Sequence, residues 1–462
     1  MTRRSIYYFT FLLIVLGSVT CKKQDEFLAE KPTAALAEIT SLSDIQKLLN
    51  NESLFNDGNV PDLPEVSSDE YYVTYAGWIE RVYTEQAAYL WEKKVYSAGE
   101  NVRDWYNPYT QIYYANTILD RLPDIKIDAG EKQMVDRLKG TALFFRAFAY
   151  FNLLQVFAAP YDSTTAQRDL GVPLRLISDF NVRVGRNTQE ECYNQIFQDL
   201  SDAYQLLPER PIQLTQPGKL TVNALLARIY NCLGKYEMAL SFANKTLEKN
   251  GILVDYNQLT NTDYFFITSP DRFLQEDIFH CTMHFYGMYS FSTGIVDSTL
   301  YSMFEDNDLR KGLFFMNYAD GLRFKGSYEY VNFGYCFSGL ATDEIYLIRA
   351  ESYARRGDIQ NAMKDMNTLL VKRYKAGTFV PLNASSVDDA LRKVLNERRK
   401  ELCYRGLRWL DLRRLNKDTR FAVTLKRVLN GVNYVLPPND VRYTFPIPDR
   451  ELALNNIPQN PR

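Results

Sequence analysis

Apolar residues recur at three- and four-residue steps over two long stretches in the first half of the chain. Residues 105–122 place Trp105, Tyr109, Ile112, Tyr113, Asn116, Leu119 and Leu122 at such steps and stop at Pro123. Residues 190–207 repeat the design with Tyr193, Ile196, Phe197, Leu200, Ala203 and Leu207, ending at Pro208. Both spacings predict amphipathic helices, because about 3.6 residues per turn returns these positions to one side and proline cannot continue the hydrogen-bond ladder. Thr188, with Glu191 three residues later, predicts a capping box at the start of the second helix. Between the two, Ala142 to Phe157 is apolar nearly all round and predicts a central, buried helix.

Two later segments share a repeat of the tetratricopeptide kind. Ala227, Tyr230, Gly234, Tyr236, Ala239 and Ala243 return at identical offsets as Ala350, Tyr353, Gly357, Ile359, Ala362 and Met366. Small residues let two helices cross closely, and glycine suits the left-handed residue that closes the first of each pair. Such pairs stack into superhelices that bind and scaffold. Residues 251 to about 340 break the helical pattern with aromatics, Gly and Asp in short alternating runs. Asp277 to Phe285 alternates as a strand would, with Phe279, Cys281, Met283 and Phe285 facing one side. Residues 321–333, with Phe324, Tyr328, Tyr330 and Phe333, predict a second partly β segment. The expected fold is mainly α: tetratricopeptide-like helix pairs forming a superhelical scaffold, with an irregular, partly β excursion in the middle of the chain.

The strand reading bears on metal binding. His280 and His284 are the only histidines. Four strand steps separate them by about 13 Å, too far to share an ion, so no metal site is expected; no cofactor is assigned either. The 54 Lys+Arg against 56 Asp+Glu leave a net charge of −2, which gives no bulk attraction for nucleic acid. Six cysteines occur at wide spacing with no C-x-x-C. A disulfide framework is therefore disfavoured, and Cys192, Cys232 and Cys403 read as small buried hydrophobes.

The N-terminus has signal-peptide anatomy: Arg3 and Arg4, an apolar run from Ile6 to Leu16, then Gly17 to Thr20. Eleven helical residues rise about 16 Å, roughly half a hydrocarbon core, which argues against a transmembrane span. Cys21 follows directly, as in bacterial lipoprotein signals, and is the expected lipidation site, with Lys22 to Glu26 beginning a tether. Losing residues 1–20 removes two arginines and no acid, which takes the charge from −2 to −4.

From the cysteine to the last residues the chain resembles the SusD/RagB family of Bacteroidetes outer-membrane lipoproteins. The resemblance rests on Trp105-x3-Tyr109-x2-Ile112 with Asn116, on Gly140-x-Ala142-x2-Phe145-Arg146-Ala147-Phe148-x-Tyr150-Phe151, and on Gly171-Val172-Pro173-Leu174. It continues through Asp199-Leu200 and Leu207-Pro208, Glu344 to Glu351, Glu397-Arg398-Arg399-x-Glu401-Leu402, Gly406-x-Arg408-Trp409-x-Asp411-Leu412-Arg413-Arg414, Phe445 to Pro448 and Gln459-Asn460-Pro461. Arg405, Thr141 and Arg462 depart from the family pattern and bear on subfamily placement only. The resemblance implies a signal peptide over 1–20, a lipidated tether over 21–40, and one domain over 41–462. Within that domain, a helical scaffold over about 41–250 and 340–462 would carry a ligand-side excursion over about 251–339. It further implies capture of a nutrient at the cell surface, most often a glycan or oligosaccharide and sometimes a peptide. Delivery would be to a SusC-like, TonB-dependent transporter in the outer membrane. The acidic pair Asp25-Glu26 is similar to surface-export signals in these bacteria.

The cluster from Glu397 to Arg414 carries seven basic and three acidic side chains. Its spacings, such as Glu401 to Arg405 and Arg408 to Asp411, predict a structural ion-pair network along helix faces rather than a phosphate or nucleic-acid patch. No G-x-S-x-G, P-loop, H-E-x-x-H or EF-hand signature occurs, so no catalytic residue is assigned. A glycosidase would need two carboxylates about 5–9.5 Å apart, which sequence spacing neither shows nor excludes. A glycan site needs aromatic faces with polar neighbours in an exposed groove. Asp69, Tyr71, Tyr72, Tyr75 and Trp78, ahead of the first long helix, are the first candidates. Tyr286, Tyr289 and Phe291, with Tyr328 and Tyr330, are the second. Trp91, Trp105 and Trp409 read as core; with 64 aromatics in the chain, most must be buried.

Overall fold

The computed structural model of the protein describes residues 39–259, 273–284, 286–329 and 335–462. The signal segment, Cys21, the Lys22–Glu26 tether and Tyr330 lie outside the described residues. The helices of eight residues or more are α1 (Leu42–Leu49), α2 (Arg103–Arg121), α3 (Lys132–Phe157), α4 (Gln189–Leu206), α5 (Lys219–Cys232), α6 (Tyr236–Lys249), α7 (Thr342–Arg355), α8 (Ile359–Leu370), α9 (Val387–Glu401) and α10 (Arg408–Leu415). The strands are β1 (Tyr71–Tyr72), β2 (Asp277–Phe279), β3 (Ile295–Val296), β4 (Phe315–Tyr318), β5 (Gly321–Phe324), β6 (Leu340–Ala341), β7 (Leu425–Leu429) and β8 (Val432–Leu436). Among the described residues these strands pair as two-stranded antiparallel sheets: β1–β3, β2–β6, β4–β5 and β7–β8.

α2, α3 and α4 form one layer, and the pairs α5–α6 and α7–α8 stack through α6 on α7 and α7 on α9. The expected capping box is present: Thr188 accepts from the Glu191 N–H while the Glu191 carboxylate accepts from the Thr188 N–H. Gly234 and Gly357 close the first helix of each pair at φ +70° and +86°, where a side chain is strained. α3 starts at Lys132, ten residues before the apolar run, because its first turns lie at the surface while Leu138 to Phe157 is almost wholly buried. Gly140 sits where a Cβ would come within 2.9 Å of Leu207, so its absence lets α3 approach the end of α4.

Buried charges fasten the layers. Arg146 on α3 donates Nε–H and Nη2–H to both oxygens of Asp199 on α4 at 2.8 and 2.7 Å, and Nη1–H to Asn116 on α2 at 2.9 Å. Arg228 on α5 meets Glu344 on α7, and Arg414 on α10 grips Glu351 on α7 at 2.7 Å with both Nη groups. The Glu397–Arg414 cluster is such a network, although most of its partners come from other elements. Glu401 pairs with Arg310 and Arg373, Arg405 with Asp343, and Arg398 with Asp411. Along the helices themselves only Lys400–Glu397 and Arg414–Asp411 pair. Sequence spacing identifies charges able to pair locally, but burial forces each to take whichever counter-charge the fold delivers.

The middle excursion rests on the scaffold through Phe279, whose ring lies 5.2 and 5.6 Å from Phe144 and Phe148 of α3, edge to face. β2 ends at Phe279; single bridges continue the extended chain at Thr282 and Met283. His280 and Thr282 are as buried as Cys281 and Met283, so both faces of the segment are covered: Phe279 packs on α3, and His280, on the other face, packs against Phe273 and Phe337. The hairpin β7–β8 turns on Asn430 and Gly431, both at positive φ, within a region expected to be helical. Asn-Gly is a strong sequence signal for this turn. Gln459 and Asn460 tie the tail back: Asn460 donates to the carbonyls of Phe157 and Phe445, each at 2.8 Å.

Candidate functional site

β1 and β3 bring the two sequence-predicted stretches together, with Tyr72 opposite Ile295 and Tyr71 opposite Val296. Period-two alternation buries Tyr71 and turns Tyr72 outward. A short helix, Tyr75–Ile79, follows; Thr74 caps it by accepting the Gly77 N–H at 3.1 Å. Tyr75 and Trp78, three apart on this turn, stack with ring centroids 5.8 Å apart and planes 26° from parallel. Gly77 packs against Thr293, where a Cβ would lie 3.2 Å from the threonine methyl. Phe291 and Tyr318 meet edge to face at 5.7 Å beside the same strand pair. Tyr72, Tyr75 and Tyr318 are 45, 43 and 54% exposed, and Trp78 and Phe291 are half-buried. The Trp78 indole N–H donates to the Gln86 carbonyl at 3.2 Å, which fixes the ring on its base. This is an open aromatic face, set on main-chain pairing and held in orientation.

The remaining candidates lie beneath that face or away from it. Tyr71, Tyr286, Tyr289 and Tyr328 are buried, so their rings are supports, not ligand surfaces. Tyr286 donates its hydroxyl to Asp104, and Tyr289 donates to Asp62. Asp62 also accepts the Tyr286 N–H, and Asp104 accepts the N–H groups of Asp62 and Leu63. The excursion is thus buttoned onto the N-terminal elements through two carboxyls. Burial pushes Asp104 up to about 6, partly offset by its backbone donors, and raises Asp62 well above the usual carboxylate range, helped by Asp104 beside it. Asp69 is not free to meet a ligand either. Arg408 and Arg399 hold it at 2.6 and 3.1 Å, and the two guanidinium charges pull its carboxyl well below the usual range against the effect of burial.

Tyr328 belongs to a buried cluster in which Glu276, Asp343 and Glu401 bring carboxylate oxygens within 4.8 Å of one another. A cation there would face three arginines already in place. Arg373 spans Glu276 and Glu401, Arg405 grips Asp343, and Arg310 meets Glu401. The donor set suits ion pairing and does not fit a metal. His280 lies between Asp277 and Glu329, each at 2.9 Å; their hydrogen bonds outweigh burial and raise the imidazole to about 9. His284 moves the other way, to about 4, through burial and the Arg103 charge.

A second aromatic surface escapes the sequence reading. A cleft of about 460 Å³ lies between α2, residues 173–180 and the short C-terminal helix Asp449–Asn455. Tyr106, Tyr109, Tyr113 and Tyr114 of α2 line it opposite Phe180, which is 67% exposed. Tyr106, Tyr109 and Tyr113 stand at helical spacing, a pattern that equally marks the core face of an amphipathic helix, where sequence periodicity places Tyr109 and Tyr113.

Comparison with known proteins gives a consistent result. Residues 26–231 match the SusD-like family model described as starch-binding, associating with the outer membrane, and residues 342–462 match the SusD family model. The chain is 25% identical over 423 residues to SusD-like protein P2 of Formosa agariphila, covering 77% of this chain and 79% of that one. A SusD superfamily protein from Bacteroides vulgatus superposes with a TM-score of 0.74 at 21% identity, over 92% of this chain and 99% of the other. A laminarin-binding SusD-like protein superposes at 0.61 with 18% identity, over 90% and 97%. With both ends of the scaffold matched by its models and the fold shared along nearly the whole length, the chain belongs to the SusD/RagB family.

Proposed function

We propose that this protein is a surface-exposed lipoprotein that holds a glycan or oligosaccharide on the Tyr72–Tyr75–Trp78 face, flanked by Phe291 and Tyr318, and passes it to a SusC-like transporter. The observation that carries the reading is the outward Tyr72 followed by the Tyr75–Trp78 stack on a base fixed by β1–β3, with a second ring pair, half-buried Phe291 and exposed Tyr318, on the segment before β3 and in β4. Aromatic faces present flat apolar area to the C–H faces of sugar rings at little conformational cost, and open placement suits a polymer entering from the side. Membership of a family whose model is described as starch-binding, and the laminarin-binding neighbour, support a glycan as the ligand class. Attachment through Cys21 would hold the protein on the membrane, since several acyl chains exceed the roughly two-signal threshold for stable anchoring. Among the described residues no helix is long and apolar enough to cross a membrane.

The test is titration of the purified protein against polysaccharides, oligosaccharides and peptides, with chromatography of each mixture after incubation. Saturable glycan binding with no shorter products supports capture without turnover. Product formation overturns it in favour of an enzyme, and binding of peptides alone reassigns the ligand class.

A further inference from the structure

A second cavity, of about 240 Å³, lies where the end of α3, the α5–α6 turn, the end of α7 and α10 converge, far in sequence from the aromatic face. Its wall includes Arg355, Arg413, Arg414 and Lys417 against one acid, Asp418, which is itself paired with Arg420. Arg414 is neutralised by Glu351 and Asp411. Arg413 is different. It is 4% exposed and makes no ion pair with any described carboxylate. Among the described residues only its Nη2–H is used, on the Ala158 carbonyl, while Nε–H and Nη1–H have no partner there. Arg355 gives Nε–H to Glu351 at 2.8 Å and lies over the Tyr236 ring at 4.3 Å, leaving both Nη groups without a hydrogen bond to the described residues. The Tyr193 hydroxyl accepts from Gln155 at 3.1 Å and keeps its own proton to donate.

The cavity wall is therefore rich in donors and poor in acceptors, and it contains a buried positive charge that no acid among the described residues pairs with. Such a charge is costly unless a counter-charge reaches it. Lys417 contributes at the rim, where its ammonium donates to the Pro160 and Tyr161 carbonyls and lies 3.9 Å from Asp162. A ligand complementary to this wall accepts hydrogen bonds only, carries negative charge and is small. We propose that the cavity binds one oxyanion, a sulfate-like or carboxylate group, by Arg413 and Arg355 with the Tyr193 hydroxyl. Burial holds Arg413 down to about 10, the direction an anion would reverse.

The group arrives either as a free ion or as the acidic substituent of a sugar, and the test separates the two. Sodium sulfate, sodium acetate and galactose 6-sulfate are each titrated calorimetrically into the protein at low ionic strength, with sodium chloride at matched ionic strength as the control. The expected result is one saturable site for sulfate or acetate that chloride does not reproduce, weakened at least tenfold in Arg413→Gln. Galactose 6-sulfate binding more tightly than sulfate assigns the site to a sugar substituent; weaker or absent binding assigns it to the free ion. Should Arg413→Gln fail to fold, Arg355→Gln, whose guanidinium packs on a ring at the cavity edge, is expected to weaken the same site severalfold. Absence of saturable binding by all three anions, or equal affinity in the folded variants, overturns the proposal.

Discussion

Asp104 offers a sharp test of how the aromatic face is supported. Its carboxyl is buried at the start of α2, accepts two backbone N–H groups at 2.9 Å and receives the Tyr286 hydroxyl at 3.2 Å. Burial outweighs those donors and lifts the group from 3.8 to about 6. A carboxyl raised in the folded state contributes stability that is fully present below its unfolded value and is lost as pH rises through its folded value. The window therefore runs from about pH 4 to about pH 6. At about 1.36 kcal/mol per pH unit, a rise of roughly two units is worth about 3 kcal/mol. Asp104→Asn keeps an acceptor for the two backbone donors and cannot ionise. Denaturant unfolding of both proteins at pH 4, 5, 6 and 7 should show the variant gaining about 2 kcal/mol on wild type between pH 4 and 7, the remainder of the effect lying below pH 4. A difference that stays constant across that range would refute the assignment, since it would mean that Asp104 ionises alike in folded and unfolded chains.

Other expectations concern the scaffold. Arg146→Ala strands a buried Asp199 and should cost about 3–5 kcal/mol in denaturant unfolding, whereas Arg146→Met with Asp199→Leu should recover most of it; a single-variant loss below about 1 kcal/mol would contradict the layer-fastening role. Gly357→Ala, at φ +86°, should lose about 1 kcal/mol or more, and an unchanged midpoint would show that the turn relaxes freely. His280 should stay protonated up to about pH 9 in an NMR titration, because two carboxylates hold it; as a raised imidazole it contributes stability below its unfolded value that fades as pH climbs toward 9.

Much of the scaffold was legible because its signals are local. The 3.6-residue period, the Thr188–Glu191 box and the glycines at 234 and 357 each act within a turn or two of helix, and the structure repeats them nearly residue for residue. The Asn430-Gly431 turn is an equally local signal, although the helical expectation for residues 340–462 does not include it. The site was legible only as composition. Aromatic-acidic stretches mark regions, but which ring faces outward depends on pairing partners far along the chain. β1 against β3 turns Tyr72 out and Tyr71 in, and Asp62 and Asp104 draw Tyr286 and Tyr289 down into the core. Asp69 went to Arg399 and Arg408, more than three hundred residues away, a pairing no spacing rule contains.

The central claim is that the Tyr72–Trp78 face holds the glycan. The most direct measurement is the affinity of wild type, Trp78→Ala and Tyr106→Ala for the tightest-binding glycan of the panel, each variant first shown to be folded by circular dichroism. Removing a central stacking ring typically costs about 2 kcal/mol, or roughly thirtyfold in affinity. The account predicts that loss for Trp78→Ala and little change for Tyr106→Ala, which lies in the other aromatic cleft. Undiminished binding by Trp78→Ala, with loss in Tyr106→Ala, would contradict it and move the site to the cleft beside α2.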